Sequence, residues 1–439
     1  MSEPTKTLVP KSRFPEFQDA GGWDEIKFID VADKKTKWSF IGGPFGSNLK
    51  SSDYVADGIR IIQLQNIGDA EFFDDYKIFT SEEKADELLA NNIYPGEIIL
   101  SKMGDPVGRA CLIPNRHTRY VMCSDGIRLV VDEKAFSKYF IYILINSVQF
   151  RTLVEKTATG STRKRIGLDD LKNLAMLVPK LKEQQKIADC LSSIDELITA
   201  QTKKIAALKD HKKGMMQQLF PLEGETVPKL RFSEFQDSGG WNEEELTKFS
   251  ECELTNGVFN DPKKVGRGYK LINVLDMYID TVVDEEKLNL VELSKNEFSK
   301  NKVETGDIFF TRSSLVKSGI AYSNIYVGNS CDITFDGHLI RFRPNKNILI
   351  PMFANYLLRI TRVRTQLVAR GKTATMTTIG QADVGGVKLT VPDINEQQKI
   401  AACLTSVDNL ITEQTQKIEA YKAHKKGLMQ RLFPIDIQE

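Results

Sequence analysis

The chain carries the same two sequence blocks twice, and this repetition limits its possible folds more than any other feature. Residues 9–23, VPKSRFPEFQDAGGW, return as residues 227–241, VPKLRFSEFQDSGGW, at an offset of 218. Residues 183–221 return as residues 396–434 at an offset of 213, and 28 of these 39 positions are identical. The stretches between the blocks share little, so the order is variable region, constant helix, variable region, constant helix.

A heptad pattern runs through both copies of the longer block. Apolar residues recur at alternating steps of four and three, which is typical of the a/d seam of a coiled coil. Within each block no proline occurs before the last residue, Pro221 in the first block and Pro434 in the second. The 37 residues from Glu183 to Leu219 therefore predict a helix about 55 Å long, and the second block predicts the same. A buried helix within a larger core is the alternative interpretation. The predicted seam residues are Ile187, Leu191, Ile194, Ile198, Gln201, Ile205 and Leu208 in the first arm and Ile400, Leu404, Val407, Ile411, Gln414, Ile418 and Tyr421 in the second.

The order of the blocks predicts how the two arms pair. The first arm ends where the second variable region begins, and the ends of a compact domain usually lie close together. The second arm must then run back along the first, which makes the pair antiparallel. The predicted fold is α+β, with two mixed α/β domains, an antiparallel coiled coil of two long helices, a pseudo-twofold relation and a circular arrangement in which LFPIDIQE finishes near VPKSRF. The polar seam residues Gln201 and Gln414 are expected to set the register of the pair.

Composition excludes binding to nucleic acid through overall charge. Lys plus Arg number 60 and Asp plus Glu 59, so any DNA binding must come from local clusters. No run of 18 apolar residues, no apolar leader segment and no C-x-x-C pair occurs, and the four histidines are scattered. We therefore expect a cytoplasmic protein with reduced cysteines and no metal site.

The variable regions combine short strands with one helical run each, at residues 136–156 and 352–369. YPGEIILSKMG resembles ETGDIFFTRSS, and CSDGIRLVV resembles TFDGHLIRF. A Gly-rich loop at residues 41–54 lacks the P-loop pattern. Basic residues without any Asp or Glu follow the helical run in both copies, at residues 157–167 and 359–380. A solvated surface is one interpretation of such a run, and a phosphate-binding surface is the other. No nucleotide-binding, hydrolase, metalloprotease or amino-methyltransferase motif is present, so no catalysis is predicted.

These features resemble the specificity subunits of Type I restriction–modification systems over essentially the whole chain. The paired VPKxRFxEFQD-GGW segments, the loop GPFGSNLKSSDY, the GSTRKRI segment and the two EQQKIA…LFP arms carry the resemblance. It implies target-recognition domain 1 at residues 1–181, arm 1 at 182–221, target-recognition domain 2 at 222–394 and arm 2 at 395–439. In the second domain NGVFNDPKK replaces GPFGSNLK, which predicts a different half-site.

The resemblance also implies a function. Each domain would read one half of a split double-stranded DNA target, and the arms would set the gap and dock two methyltransferase subunits. Two restriction subunits would complete the complex. S-adenosylmethionine, ATP and Mg would bind to these partners, so this chain would hold no cofactor and catalyse nothing itself. Without the resemblance, the architecture would also fit a non-DNA adaptor that spaces two protein- or glycan-binding domains.

Candidate DNA contacts fall in loops and at strand ends. Phosphate contacts are predicted from Lys50, Arg163, Lys164, Arg165, Arg370 and Lys372. Base contacts are predicted from Asn48, Gln63, Gln65, Asn66, Lys102 and Arg109 and from Asn273, Arg312, Ser313, Ser314 and Lys317. Further candidates in the same loops are Ser47, Ser51, Ser161, Lys263, Lys264 and Thr375.

Overall fold

The structure, a computed structural model, describes residues 9–259 and 262–434. It divides into two compact units, one made of residues up to Ala200 together with those from Lys417 onward, the other of Gln201–Gln416. Each unit contains one variable region and half of each long helix. The described residues do not include residues 1–8, the loop residues 260–261 or residues 435–439.

The described residues of the first unit form four sheets. Its strands are β1 (Asp24–Lys27), β2 (Phe40–Gly42), β3 (Tyr54–Val55), β4 (Ile59–Ile62), β5 (Ile78–Thr80), β6 (Asn92–Ile93), β7 (Ile98–Ser101), β8 (Met103–Gly104), β9 (Ala110–Leu112), β10 (Tyr120–Met122), β11 (Gly126–Leu129), β12 (Lys164–Arg165) and β13 (Ala175–Val178). Its helices are α1 (Glu82–Glu87), α2 (Lys138–Ile145), α3 (Val148–Thr157), α4 (Leu168–Asn173) and the first half of α5 (Leu181–Leu219). The strand orders are β1-β13, β3-β5-β4-β10-β6, β2-β11-β7-β9 and β8-β12.

The second unit repeats most of this plan. Its strands are β14 (Asn242–Glu245), β15 (Thr255–Asn256), β16 (Val265–Ile272), β17 (Asn289–Val291), β18 (Ile308–Thr311), β19 (Ser313–Ser314), β20 (Ser323–Ile325), β21 (Ile333–Phe335), β22 (Leu339–Phe342), β23 (Lys372–Thr373), β24 (Thr377–Thr378) and β25 (Lys388–Val391). Its helices are α6 (Lys295–Asn301), α7 (Pro351–Leu357), α8 (Thr361–Arg370), α9 (Gln381–Gly385) and the first half of α10 (Ile394–Leu432). Its strand orders are β14-β25, β15-β22-β18-β20, β17-β16-β21 and β19-β24-β23. At the centre of each sheet, these orders match those of the first unit strand for strand.

The central strands form because their residues are β-branched or aromatic and can be buried on both faces. β7 and β11 are fully buried in the first unit, as are β18 and β22 in the second. Among the strands that the structure describes, β4 pairs in parallel with β10 in the first unit, and β16 pairs in parallel with β21 in the second. Parallel strands end at the same side of a sheet. The loops that follow β4 and β10 therefore leave one side of the first unit's sheet together, and those that follow β16 and β21 do the same in the second.

The long helices pack in opposite directions, as predicted. In the first unit Asp195 of α5 accepts hydrogen bonds from Lys425 of α10 at 2.6 Å. In the second unit Lys212 of α5 donates to Asp408 of α10 at 2.6 Å. The early part of each helix therefore meets the late part of the other, and every predicted seam residue is buried or half-buried.

The repeated VPK segments (residues 9–23 and 227–241) bind to the first turn of each arm and hold it in place. Arg13 forms two hydrogen bonds with Glu183, at 2.7 and 2.6 Å, and Arg231 forms the same pair with Glu396, at 2.8 and 2.7 Å. All four side chains are almost fully buried. This shared contact gives a physical reason for the constancy of the VPK segments.

The end of each arm completes the core of a unit. Phe433 packs edge-on against Trp23 and stacks on Phe140 in the first unit. Phe220 makes the corresponding contacts with Trp241 and Phe353 in the second unit. The end of α10 also meets the first VPK segment, because the Ser12 amide donates to the Arg431 carbonyl at 3.0 Å, whereas residues 435–439 of the predicted LFPIDIQE contact lie outside the described residues.

The prediction of one helical run per variable region was wrong, since each run is broken into two helices. In the first unit Asn146 ends α2 and exchanges hydrogen bonds with the backbone of Ala110 in β9. The Ser147 hydroxyl then caps α3. In the second unit Arg359, between α7 and α8, donates to the Ser323 carbonyl in β20. The break occurs where a side chain reaches the edge strand.

Among the described residues, no helix is both long enough and apolar enough to cross a membrane. No group of His, Cys, Asp or Glu side chains within that part of the chain is arranged to hold a metal ion.

Candidate nucleic-acid interface

Three loops of the first unit meet at one edge of the sheet β2-β11-β7-β9. Gly42, at the end of β2, lies opposite Ile127, and Ser101, at the end of β7, lies opposite Gly126. The backbone continues this contact beyond the strands, because the Lys102 amide donates to the Asp125 carbonyl at 2.6 Å. We call residues 43–48, 102–104, 123–125 and 160–165 the first edge.

A short hairpin, closed by two backbone hydrogen bonds between Thr159 and Arg165, adds the predicted basic residues to the first edge. β12 pairs with β8 so that Arg165 lies opposite Met103, and the Ile166 amide donates to the Lys102 carbonyl at 3.0 Å. Lys164 forms an ion pair with Glu155 at 2.9 Å, and Arg165 forms one with Asp125 at 2.9 Å. Arg163 is exposed. The hairpin therefore presents basic side chains whose charge is partly balanced by nearby carboxylates.

The second unit builds the same edge from different residues. Thr311, at the end of β18, lies opposite Leu339, and the Arg312 amide donates to the His338 carbonyl at 2.9 Å. β19 pairs with β24, and the Ile379 amide donates to the Arg312 carbonyl at 3.0 Å. We call residues 257–259, 312–317, 336–338 and 372–378 the second edge.

The backbone contacts set the correspondence between the two edges. Lys102, which follows β7, corresponds to Arg312, which follows β18. In each case the backbone amide donates to the neighbouring loop of the sheet, and the backbone carbonyl accepts from the residue after the hairpin. By the same contacts Asp125 corresponds to His338. The sequence similarity of CSDGIRLVV and TFDGHLIRF aligns Asp125 with Asp336 instead, and this alignment is wrong by two residues because strand pairing, not the Asp-Gly pair, sets the register.

The candidates Asn48, Lys102, Ser161 and Arg163 lie on the first edge, and Arg312, Ser313, Ser314 and Lys317 on the second. Ser47 lies beside Asn48, and its hydroxyl donates to the Asn48 side chain at 3.3 Å. Lys372 and Thr375 lie in the second hairpin, where Lys372 is 3.5 Å from Asp383. Gln63 and Gln65 follow β4, and Asn273 follows β16. The last residue of each strand accepts a backbone hydrogen bond from an edge segment, Ile62 from the Cys123 amide and Ile272 from the Asp336 amide.

Four candidates lie outside the residues that define the two edges. Lys50 and Ser51 are at a turn of 3-10 helix (Ser51–Asp53) that leads into β3. Lys263 and Lys264 lie just before the start of β16, whereas it is the end of β16 that reaches the second edge.

The structure contradicts the prediction that Asn66 contacts bases. Its side chain has no exposed surface. Its amide donates to the carbonyls of Phe73 and Tyr76 at 2.8 and 2.9 Å, and its oxygen accepts from the Gln63 amide at 2.9 Å. Asn66 therefore holds the turn after β4. Arg109 is only half-buried, but its Nε is buried without a hydrogen-bond partner among the described residues.

The arginines after α7 bind backbone carbonyls and a carboxylate of their own unit. This corrects the expectation of a free basic cluster at residues 359–380. Arg364 donates to the carbonyls of Ala321, Ile320 and Ser318, and burial lowers the pKa of its guanidinium. Arg362 pairs with Glu243 at 2.6 Å. Arg370 donates to the Gly386 carbonyl at 2.7 Å. An arginine-rich sequence cannot distinguish these backbone contacts from free charge.

Sequence reasoning missed three kinds of side chain. Phe45 and Phe259 are exposed, one on each edge, and so are Leu315 and Val316 on the second. His338 is also exposed on the second edge, where its Nδ1 lies 2.9 Å from the Asp336 carboxylate. The spacing Gly-x-Phe, which occurs at Gly43 and again at Gly257, was an available signal for the two phenylalanines.

Comparison with known proteins agrees with this architecture. Two curated relatives are the putative type I restriction enzyme MjaX specificity subunit of Methanocaldococcus jannaschii and the type I restriction enzyme EcoKI specificity subunit of Escherichia coli. The first is 21% identical over 389 residues, which cover 86% of each chain. The second is 22% identical over 384 residues, which cover 84% of this chain and 80% of the relative.

Solved structures show the same fold. The S subunit of a Type-I restriction-modification system from M. genitalium matches with a TM-score of 0.58 and 16% identity, over 98% of this chain and 100% of that one. A chain from a structure on complex assembly and conformational transition of the type I R-M system matches with a TM-score of 0.53 and 15% identity, over 95% and 98% of the two chains. A sequence model of the Type I restriction modification DNA specificity domain matches residues 22–210 and 240–420. With two such domains covering most of its length, the chain belongs to the family of Type I restriction–modification DNA specificity subunits.

Proposed function

We propose that the first edge reads one half of a bipartite DNA target and the second edge reads the other. The observation that carries this proposal is the correspondence of Lys102 and Arg312, which hold the same backbone position in the two units. Lysine and arginine both donate to the acceptors of guanine in the major groove. A long cationic side chain is thus presented at the same point of each edge.

The side chains around these two residues differ, which supports unlike half-sites. The first hairpin carries Arg163, Lys164 and Arg165 where the second carries Met376, Thr377 and Thr378. The second edge also presents exposed Leu315 and Val316. Apolar side chains contact the thymine methyl group, whereas basic side chains contact phosphates or guanine. One scaffold therefore supports two different base sequences.

The chemistry of the complex is assigned to partner proteins. We propose that two methyltransferase subunits with S-adenosylmethionine, and two restriction subunits with ATP and Mg, assemble with this chain on double-stranded DNA. The names of the relatives support this assignment, because they are specificity subunits of type I restriction enzymes. The near-neutral charge of the chain, +1, is consistent with partners that supply part of the DNA affinity.

The arms are proposed to set the gap between the half-sites. α5 and α10 are both 39 residues long, which corresponds to about 58 Å of continuous helix. Centres of half-sites one turn apart are separated by about 34–36 Å. A paired helix of this length can act as a spacer of constant length.

Mapping methylated sites tests the reading of half-sites. The chain would be co-expressed with its methyltransferase subunit, and methylated positions would be sequenced across the host genome. Lys102→Ala is expected to relax one half-site and Arg312→Ala the other, with about 5- to 150-fold less discrimination at one base position. Lys172→Ala, which removes an exposed ion pair with Asp169, is the matched control. Equal relaxation of both halves by one variant would contradict the assignment.

Salt dependence tests the phosphate contacts separately. Arg163→Gln should weaken binding to all duplexes to a similar degree and reduce the slope of log affinity against log salt by about 0.9, because one fewer counterion is released. The measurement is a titration of labelled duplex with the assembled complex at several salt concentrations. An unchanged slope would show that Arg163 does not contact a phosphate.

A further inference from the structure

Two phenylalanines stand out as apolar side chains in a polar setting. Phe45 and Phe259 are each 81% exposed, more than any other aromatic side chain that the structure describes. Phenylalanine is normally buried, because water does not solvate the ring favourably. Single exposed apolar side chains are common on protein surfaces, so it is the recurrence of an exposed ring in both units that calls for an explanation.

The two rings occupy equivalent positions in the two units. Each lies two residues after a glycine that leaves the end of a strand, Gly43 after β2 and Gly257 after β15. A side chain on either glycine would collide with backbone, since a Cβ would lie 1.7 Å from the Cys123 oxygen or 2.0 Å from the Phe335 oxygen. Both loops are thus forced to leave the sheet at the same point, and both present phenylalanine next.

The loops otherwise differ in sequence. Pro44 in the first loop corresponds to Val258 in the second, and the sequence Gly46-Ser47-Asn48 is replaced by Asn260-Asp261-Pro262. The ring is the shared feature of two loops that have diverged. A role common to both half-sites, independent of which bases are read, accounts for this better than a role in one sequence.

The surroundings favour nucleic acid over protein as the partner. Around Phe45 the exposed residues are Gly46, Ser47 and Asn48, and the basic hairpin with Arg163 shares the same edge. A protein interface would normally place such a ring in a wider apolar patch, and Phe45 has no other exposed large apolar side chain beside it among the described residues of the first edge, whereas Phe259 shares the second edge with Leu315 and Val316. DNA offers apolar base faces between charged phosphates, and proteins insert phenylalanine between base steps to exploit them.

We propose that Phe45 and Phe259 each insert their ring into the base stack at their own half-site. Insertion separates two neighbouring base pairs and covers the ring with base faces, while the polar residues of the same loop remain near the backbone. Both rings act as positioning residues, because they set the depth and register of each edge on the duplex. This inference rests on the proposed function of the two edges.

The test uses the full chain assembled with its methyltransferase subunits and a duplex taken from the mapped target. Phe45→Ala and Phe259→Ala are each expected to lower affinity for that duplex by about ten- to a hundredfold, with the salt slope unchanged because no charge is removed. A duplex series with 2-aminopurine at successive positions should show enhanced fluorescence at one step in each half-site. Each variant should remove the signal from its own half-site alone.

Phe73→Ala is the matched control. Phe73 is a partly exposed phenylalanine of the first unit that lies outside the first edge, in a cavity where the acidic residues Glu71, Asp74 and Asp75 are accompanied by Lys77 and Arg116. This variant should bind DNA as the unchanged chain does. If Phe45→Ala behaves like Phe73→Ala, the proposal is overturned.

Three further outcomes show whether the insertion, the proposed function or both are excluded. If Lys102→Ala and Arg312→Ala lose discrimination while both phenylalanine variants keep full affinity and fluorescence, the insertion fails and the proposed function stands. If none of the four variants changes DNA binding, the proposed function fails with it. If Phe45→Ala instead prevents assembly with the methyltransferase subunits in the absence of DNA, as seen by size-exclusion chromatography, the ring belongs to a protein interface and the insertion is excluded.

Discussion

Replacing Glu183 with alanine is expected to lower the free energy of unfolding of the first unit by about 3–5 kcal/mol. The Glu183 carboxylate accepts two hydrogen bonds from Arg13, and both side chains are below 10% exposed. This hydrogen-bonded carboxylate raises the pKa of the Arg13 guanidinium. Its removal would leave a buried cation without a counter-ion, which costs more than the intact pair contributes.

Glu396→Ala should have the same effect on the second unit, because Arg231 and Glu396 repeat the contact. Hydrogen exchange followed by peptide mass analysis would locate the destabilised unit, and denaturant titration would measure the change. Two controls apply. Asp169→Ala, which removes an exposed pair, should leave the unfolding transition unchanged, and the double variant Arg13→Met with Glu183→Leu should recover much of the loss. A Glu183→Ala chain as stable as the Asp169→Ala chain would contradict the role of the VPK segment as the seat of the arm.

Inserting one heptad into both arms is expected to lengthen the gap between the two half-sites by about three base pairs. Seven helical residues add about 10.5 Å, and each base pair occupies about 3.4 Å of the DNA axis. The insertion points are between Lys203 and Lys204, midway between Asp195 and Lys212, and between Gln416 and Lys417, midway between Asp408 and Lys425. A full heptad keeps the seam in register, so both half-sites should be recognised as before.

Sequencing of methylated sites measures this change directly. The matched control carries the heptad in one arm only, which leaves the inserted seam residues without partners and should abolish methylation. If the double insertion methylates sites with the original gap, the arms do not set the spacing. If methylation persists with the single insertion, the two arms do not need matched lengths.

The prediction of the arms succeeded because helical periodicity and internal repetition are properties of the sequence itself. Steps of four and three residues identified a seam in each arm, and the order of the blocks identified the antiparallel pairing. The VPK segments were recognised as constant, but their contact with Glu183 and Glu396 joins residues about 165–170 positions apart, and no local pattern reports such a contact.

The candidate interface was predicted less well, for the same reason. Asn66 has the chemistry of a base-contacting residue, yet the turn after β4 uses all of its polar atoms. Arg364 has the chemistry of a phosphate contact, yet it holds three carbonyls of the loop before β20. Residue type states what a side chain can bind, and only the packed structure states whether it is already engaged.

By itself the sequence determined the number of copies, the two long helices, their opposite directions and the circular order, because each follows from periodicity or from repeated blocks along the chain. Tertiary structure alone decided which loops meet at each edge, that Asp125 corresponds to His338, and that Phe45 and Phe259 are exposed in equivalent positions. These features depend on strand register between distant segments, where a shift of one residue changes which side chains face outward.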